Sequence, residues 1–148
     1  MSLSESNTAN VFTADVNGGE RPLFRADTTK IIDRLSSIPT PHWQGFGTQN
    51  ISSDPFDPVQ VHLSVFVAKG VAPGTYEIGD SSGNVWASYV IQRSGSIEAY
   101  LSIDGDVTLK AVPSPDNKRL EGTVSFTGKY QDKQVRITNG QFNLIEQA

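Results

Sequence analysis

Two neighbouring residues in a proline-rich stretch are the best equipped for chemistry. His42 and Trp43 follow Pro39 and Pro41, and a residue that precedes a proline is held in extended or turn geometry. An imidazole beside an indole on a stiff loop could bind a sugar ring or another small ligand. Because tryptophans are usually largely buried, the alternative is that Trp43 closes one end of the fold and His42 is exposed. We favour this alternative and keep both residues as candidate ligand contacts.

Trp86 is the third candidate contact, because strand alternation separates it from an apolar set. Residues 85–91 place Trp86, Ser88 and Val90 on one face of a predicted strand. The opposite face carries Val85, Ala87, Tyr89 and Ile91. If that apolar face packs into the core, Trp86 is exposed and can anchor a ligand or a partner. A strand buried on both faces fits equally well, since Val90 shares the face of Trp86.

The chain is poorly supplied with metal ligands and nucleophiles. It has two histidines, His42 and His62, and no cysteine, which excludes disulfides, thiolate metal sites and cysteine nucleophiles. A zinc site would need both histidines and carboxylates to converge, and no close histidine spacing supports that. Residues 104–106 (Asp-Gly-Asp) could ligate calcium, but Asp-Gly is also a preferred hairpin dipeptide, and we favour the hairpin. We therefore predict no metal and no cofactor.

Paired carboxylates are the remaining route to catalysis. Glycoside hydrolysis needs two carboxyl groups about 5–10 Å apart in a cleft, one of them with a raised pKa. The acids available for such a pair lie mostly at predicted turns: Glu77, Asp80, Glu98, Asp104 and Asp106. The sequence also lacks a Gly-x-Ser-x-Gly nucleophile motif and a phosphate-binding glycine motif. We assign no catalytic residue and treat a carboxylate-pair hydrolase as the alternative to a binding domain.

The elements that must position these residues are strands. Between runs that alternate apolar and polar residues, turn signals recur at residues 73–74, 82–83, 94–95, 104–105, 113–117 and 139–140. Turns every ~8–12 residues that separate such runs are typical of an antiparallel β meander. The clearest strand is 59–68, and an apolar set at Ile97, Ala99, Leu101 and Ile103 continues the pattern. We predict an all-β domain of about eight to ten strands, either an antiparallel β-sandwich or a partly closed barrel.

The first third of the chain is less regular. Residues 27–37 have helical spacing of Ile31, Ile32 and Leu35 behind a candidate cap at Asp27, which fits one short helix and equally a poorly alternating strand. Residues 38–58 are proline-rich and irregular, with one strand conceivable at residues 44–51. Long loops on β scaffolds often carry function.

Length and charge limit the classes of partner. The 148 residues fit a disordered tail at 1–9 followed by a single domain at 10–148. A net charge of −4 with scattered lysines and arginines argues against nucleic acid. No stretch approaches the ~20 apolar residues of a membrane span. We expect a cytoplasmic location for the sequence as given, and a periplasmic or secreted one if a native leader was removed.

Four short motifs resemble a family of small bacterial all-β proteins of unknown function, often exported or lipid-anchored. The motifs are Phe12-x-Ala14-x-Val16-Asn17-Gly18, Gly74-Thr75-Tyr76, residues 118–126 (KRLEGTVSF) and residues 137–142 (ITNGQF). The resemblance spans about residues 12 to 142 and implies an antiparallel sandwich-like domain. It carries over no catalytic residue. This chain departs from the pattern because it shows neither a leader nor a lipid-attachment cysteine.

The sequence therefore favours a non-catalytic binding or interaction domain. Its ligand would be a small molecule, a glycan or a protein, with His42, Trp43 and Trp86 as contact residues. The third function class is a structural or assembly role, in which an open sheet edge pairs with a second subunit. A cleft with two close acids would favour the hydrolase, a tryptophan exposed in a groove would favour ligand binding, and an apolar patch would favour assembly.

Overall fold

The computed structural model describes residues 10–34, 41–52, 54–80 and 83–146, and within them the chain forms ten strands. The strands are β1 (Val11–Asn17), β2 (Leu23–Arg25), β3 (Thr28–Arg34), β4 (His42–Ser52), β5 (Val59–Ala68), β6 (Gly74–Glu77), β7 (Val85–Arg93), β8 (Ser96–Ala111), β9 (Lys118–Tyr130) and β10 (Lys133–Glu146). The predicted all-β class is confirmed.

All ten strands belong to one antiparallel sheet that curls into a half-barrel. Its order is β2-β1-β10-β9-β8-β7-β5-β4-β3, and β6 branches off by pairing with β8. The two ends of the sheet meet because only Ala26 and Asp27 join β2 to β3. The amide of Ala26 donates to Phe12 O at 3.0 Å, and the amide of Asp27 donates to Thr48 O at 2.7 Å. Ile31 N also lies 3.5 Å from a carboxylate oxygen of Glu146.

The concave side of the sheet holds the core. On β5 and β7, alternate residues point inward, and the inward set of β7 is the apolar one predicted from the sequence. The aromatic part of the core is built from Phe12, Phe24 and Phe142, whose rings meet at 5.3 and 5.8 Å between centroids. Burying such side chains stabilises a fold by about 1.5–3 kcal/mol each. The interior of the curled sheet is thus filled with side chains.

Two predicted turns are instead irregularities inside long strands. The pairing of β8 with β9 shifts register between Ser102 and Asp104, and the pairing of β9 with β10 shifts between Ile137 and Gly140. The predicted hairpins at 104–105 and 139–140 were therefore wrong. Asp-Gly and Asn-Gly signal a left-handed backbone, which a β-bulge uses as readily as a hairpin turn does.

The helix considered for residues 27–37 was wrong over its described part. All seven residues of β3 pair with β4, from Thr28 opposite Thr48 to Arg34 opposite His42. Of the apolar residues that suggested a helix, Ile31 is buried and Ile32 is half-buried, as expected for opposite faces of a strand. Likewise, β4 occupies much of the segment that we expected to be irregular. Residues 1–9, the predicted tail, lie outside the described part of the chain.

Gly105 bends β8 so that the strand changes partners. Up to Leu101 it pairs with β7, and from Asp106 onward it pairs with β6. Gly105 has a φ of +140°, and a Cβ at this position would overlap the carbonyl oxygen of Ser125. The carbonyl of Gly105 accepts from the amide of Ile78 at 2.9 Å, which attaches β6 at the bend.

No helix in the described residues is long and apolar enough to cross a membrane.

We predict that Gly105→Ala destabilises the fold far more than Gly95→Ala does. Both glycines have a positive φ, but a Cβ at Gly95 meets nothing within 4 Å. Gly95→Ala should cost about 1–2 kcal/mol for the left-handed backbone. Gly105→Ala should cost about 1–3 kcal/mol more for the steric overlap. Urea unfolding of both variants measures the difference, and equal free energies of unfolding would contradict this account of the bend.

Candidate functional site

The convex side of β4, β5, β7 and β8 carries an uncharged patch that we call the outer face. The strand pairings align its fifteen residues in four rows across the sheet. The rows are Gln44, Phe66 and Trp86; Phe46, Ser64, Ser88 and Leu101; Thr48, His62, Val90 and Ala99; and Asn50, Gln60, Gln92 and Ile97. Only His62 can carry a charge, in a chain with 28 acidic or basic residues (12 Lys and Arg, 16 Asp and Glu).

Aromatic rings hold one end of the outer face rigid. Phe66 and Trp86 lie opposite each other on β5 and β7 and stack with centroids 3.7 Å apart and planes 7° apart. The ring of His42 meets Trp86 edge-on at 6.4 Å. Trp86 Nε1 is buried and has no hydrogen-bond partner in the described part of the chain. The stack therefore buries apolar surface of both rings, while the indole N–H of Trp86 has no acceptor in the described part of the chain.

His62 is fixed in the middle of the outer face by two hydrogen bonds. Its Nε2 lies 3.1 Å from Gln92 Oε1, and its Nδ1 lies 2.8 Å from Thr48 Oγ1. The neutral Nε2–H tautomer satisfies both contacts, since Nε2 donates to the amide oxygen and Nδ1 accepts from the hydroxyl. The ring of Phe46 meets His62 edge-on at 6.2 Å. The two hydrogen bonds of His62 fix the orientation of its imidazole relative to the neighbouring side chains of the outer face.

The β8 end of the outer face is the most exposed. Ile97 is 61% exposed and Leu101 is 41% exposed, while Phe66, Trp86 and Val90 are half-buried. Isolated apolar residues on a surface are ordinary, but a contiguous patch marks an interaction site. Depletion of charged residues is the compositional signal of an interface core. The outer face has no Asp, Glu, Lys or Arg, and Ile97, Ala99 and Leu101 form an apolar line along its β8 edge.

The structure brings two of the three predicted site residues together. His42 and Trp86 meet on the outer face, and Trp86 is half-exposed opposite a buried apolar set, as its strand alternation allowed. Trp43 points to the concave side and is 2% exposed, with the Lys69 ammonium 4.5 Å from its ring. Trp43 thus closes one end of the core. The expectation that His42 is exposed was wrong, since the residue is 1% exposed.

Sequence reasoning missed the contribution of β8. Alternation groups Ile97, Ala99 and Leu101 as an apolar set, and such a set would ordinarily be assigned to the core. The structure turns these residues outward, because Tyr100 occupies the inward position between them. The large tyrosine on the intervening position was the available signal.

A tyrosine cluster closes the other end of the core. The ring of Tyr100 lies 6.1 Å from that of Tyr89 and 5.7 Å from that of Tyr130. The Tyr100 hydroxyl donates to Glu98 Oε1 at 3.0 Å. Burial, with the Glu98 hydrogen bond and charge adding to it, raises the pKa of Tyr100 to about 12. The neutral hydroxyl is therefore a structural donor near neutral pH.

Two of the acids considered for catalysis are neighbours, but they lie on an exposed surface rather than in a cleft. Glu77 and Asp106 lie directly opposite each other on β6 and β8, and both are exposed. A glycoside hydrolase holds its two carboxyl groups in a cleft, whereas these two lie on the exposed surface. Among the described residues, no group of three or more histidines, aspartates and glutamates is arranged to hold a metal. The pair therefore gives no catalytic site.

No protein-family model, curated protein or solved structure matches this chain. The resemblance to small bacterial all-β proteins stays a prediction.

We predict that the stability of the fold falls between pH 10 and about 12 because of Tyr100. Its pKa is about 12 in the folded chain and 10.0 as the reference value, so the unfolded state loses the proton first. The stabilisation is complete below pH 10 and is lost as the pH rises through the folded pKa. Urea unfolding at several alkaline pH values measures it. Tyr100→Phe should flatten this decline, and an unchanged slope would contradict the assignment.

We predict that Glu77→Gln stabilises the fold slightly at low salt. Like charges directly opposite in an antiparallel pair are destabilising, here by about 0.2–1 kcal/mol. Added salt should remove the gain by screening. In the Glu77→Gln background, Asp106→Asn should bring no second gain of that size. A salt-independent loss of stability in Glu77→Gln would contradict the repulsion.

Proposed function

We propose that this chain is a non-catalytic interaction domain that binds a protein through its outer face. The observation that carries the proposal is the uncharged patch of fifteen residues with Ile97 and Leu101 exposed at one end. Water contact with this apolar area costs free energy, which a partner recovers by covering it. The stacked aromatic pair offers a rigid anchor of the kind that dominates binding energies.

A protein surface fits the outer face better than a sugar ring does. A sugar that used the aromatic pair would stack on an open face of one of its rings. Here Phe66 covers one face of the Trp86 indole, and Trp86 covers one face of the Phe66 ring. The apolar area continues onto β8, where Ile97 and Leu101 are aliphatic. Such a mixture of aromatic and aliphatic side chains is suited to packing against another protein.

The occupant of the outer face is a second copy of this chain. In a two-fold dimer the same patch meets itself, so a charge near the axis would meet its own copy and a charge elsewhere would need an opposite charge in the same patch. The outer face avoids that conflict, and its amides at Gln60 and Gln92 can each donate and accept across the contact. Elsewhere the net charge of −4 keeps copies apart.

The size of the outer face is adequate for a dimer. Four strands spaced by about 4.8 Å, with four rows each two residues long, cover about 500 Å². Two such faces bury at most about 1,000 Å², the lower limit for a specific interface, so we expect a weak dimer. Pairing through a sheet edge is less favoured, because the edge strand β3 already directs the amide of Ile31 to Glu146.

We predict that the chain dimerises and that charging the outer face prevents it. Leu101→Lys and Ile97→Lys each bury an unpaired charge from both copies in the contact, which costs about 2–4 kcal/mol, so the Kd of the dimer should rise about 30- to 1,000-fold. Ile145→Lys, at a similarly apolar exposed position on β10 outside the outer face, is the matched control.

Sedimentation velocity over a range of concentrations measures these constants, and circular dichroism checks that each variant is folded. A wild-type chain that stays monomeric at millimolar concentration would overturn self-association. A dimer weakened equally by Ile145→Lys would place the contact elsewhere.

A further inference from the structure

A line of hydroxyl and amide side chains crosses a second part of the convex surface, outside the outer face. Successive strand pairings align it across β6, β8, β9, β10 and β1. We call these residues the hydroxyl row: Thr75, Thr108, Thr123, Gln141 and Thr13. The first two hydroxyl oxygens lie 3.0 Å apart. With strands spaced by about 4.8 Å, the row is about 19 Å long.

Two hollows lie on either side of the hydroxyl row. One has a volume of about 470 Å³ and is bounded by Lys110, Glu121 and Asn143. The other has a volume of about 390 Å³ and reaches Asp106. Thr123 and Gln141 line both hollows, so these two members of the row stand where the hollows adjoin, and we treat the two hollows together as one groove. Each volume is within the range of small-ligand sites.

One buried acceptor in this groove lacks a donor. Asn143 Oδ1 is inaccessible to water and has no hydrogen-bond partner in the described part of the chain. A buried polar atom without a partner costs about 1–3 kcal/mol. Asn143 also lines the larger hollow, so the residue with this unsatisfied amide oxygen forms part of the groove wall.

From this groove we infer a binding site for a neutral oligosaccharide. Each threonine hydroxyl and amide can both donate and accept, as a sugar hydroxyl can. The pyranose units of a linear glycan repeat at nearly the spacing of the strands, so successive sugars can meet successive members of the hydroxyl row. The groove is open at the surface, which admits a chain rather than a single enclosed ring.

The charges around the groove nearly balance, which suits a neutral ligand. Lys110 and Glu121 border one hollow, and Asp106, opposite Glu77, borders the other. The guanidinium of Arg119 is paired with Glu121 at 2.7 Å. Two cations against three carboxylates leave no excess of positive charge to hold a phosphate or a uronic acid group. The groove also lacks the exposed aromatic anchors that a protein partner would use, in contrast to the outer face. This site and the outer face share no residue, so the inference stands independently of self-association.

Nuclear magnetic resonance titration tests the site with defined probes: cellohexaose, maltohexaose, laminarihexaose and, as the anionic comparison, hexagalacturonate. We expect at least one neutral hexasaccharide to shift the amide signals of Thr123, Gln141 and Asn143. Thr123→Val keeps the side-chain shape without the hydroxyl, and Gln141→Ala removes the amide. Each should raise the Kd about three- to tenfold, the share of one or two hydrogen bonds.

The matched controls are Thr127→Val on β9 and Gln134→Ala on β10, which lie outside the groove and should leave the Kd unchanged. The inference is overturned if none of the three neutral hexasaccharides binds, or if only hexagalacturonate does. It is also overturned if a neutral probe shifts signals of the outer face alone. The inference is overturned as well if Thr127→Val and Gln134→Ala lose as much affinity as the groove variants do.

Discussion

The bend of β8 at Gly105 is the constraint on which the rest of the structure depends. Along one edge, the sixteen residues of β8 pair first with β7 and then with β6, and the change of partner falls at Gly105. Because Gly105 has no side chain, the backbone of β9 can approach it at Ser125, and the sheet turns there without losing its pairing to β9. The turn lets a single sheet curl until β2 and β3 meet, which encloses the core.

The same bend divides the convex surface into an apolar part and a part that carries hydroxyl and amide side chains. Before it, Ile97 and Leu101 extend the apolar area of β7. After it, Thr108 lies between Thr75 and Thr123 and joins the hydroxyl row. One strand thus contributes to both proposed sites, and its bulge at residues 102–104 separates them. A surface for protein contact and a groove for a polar ligand can therefore be occupied at the same time.

Patterns between sequence neighbours predicted the existence and alternation of the strands better than they predicted where each strand ends. The alternation of β5 and β7 depends on neighbours in the sequence, so it placed Val85 and Trp86 on opposite faces correctly, although it left open which face is inward. Asp104–Gly105 and Asn139–Gly140 show that a dipeptide predicts a left-handed backbone but cannot distinguish a hairpin turn from a bulge. That choice depends on whether a third strand continues the pairing. The outer face depends even more on such long-range register, since residues 46, 64, 88 and 101 form a row only after four strands have paired.

The filled interior explains why both proposed sites lie on the convex side. Trp43 under Lys69 closes the end of the core beside Val67, and the tyrosine cluster closes the end near Arg93, where Glu20 and Arg93 pair at 2.6 Å. A half-barrel of this size has only enough concave volume for its own side chains. Recognition must then use the outer surface of the strands, where alternate side chains do not pack into the core. The fifteen residues of the outer face include no Asp, Glu, Lys or Arg, although eight of them are polar. The outward residues of β9 and β10 mix the hydroxyls and amides of the row with charged side chains. Core stability alone does not require an outer face without charged residues, because exposed positions usually carry them.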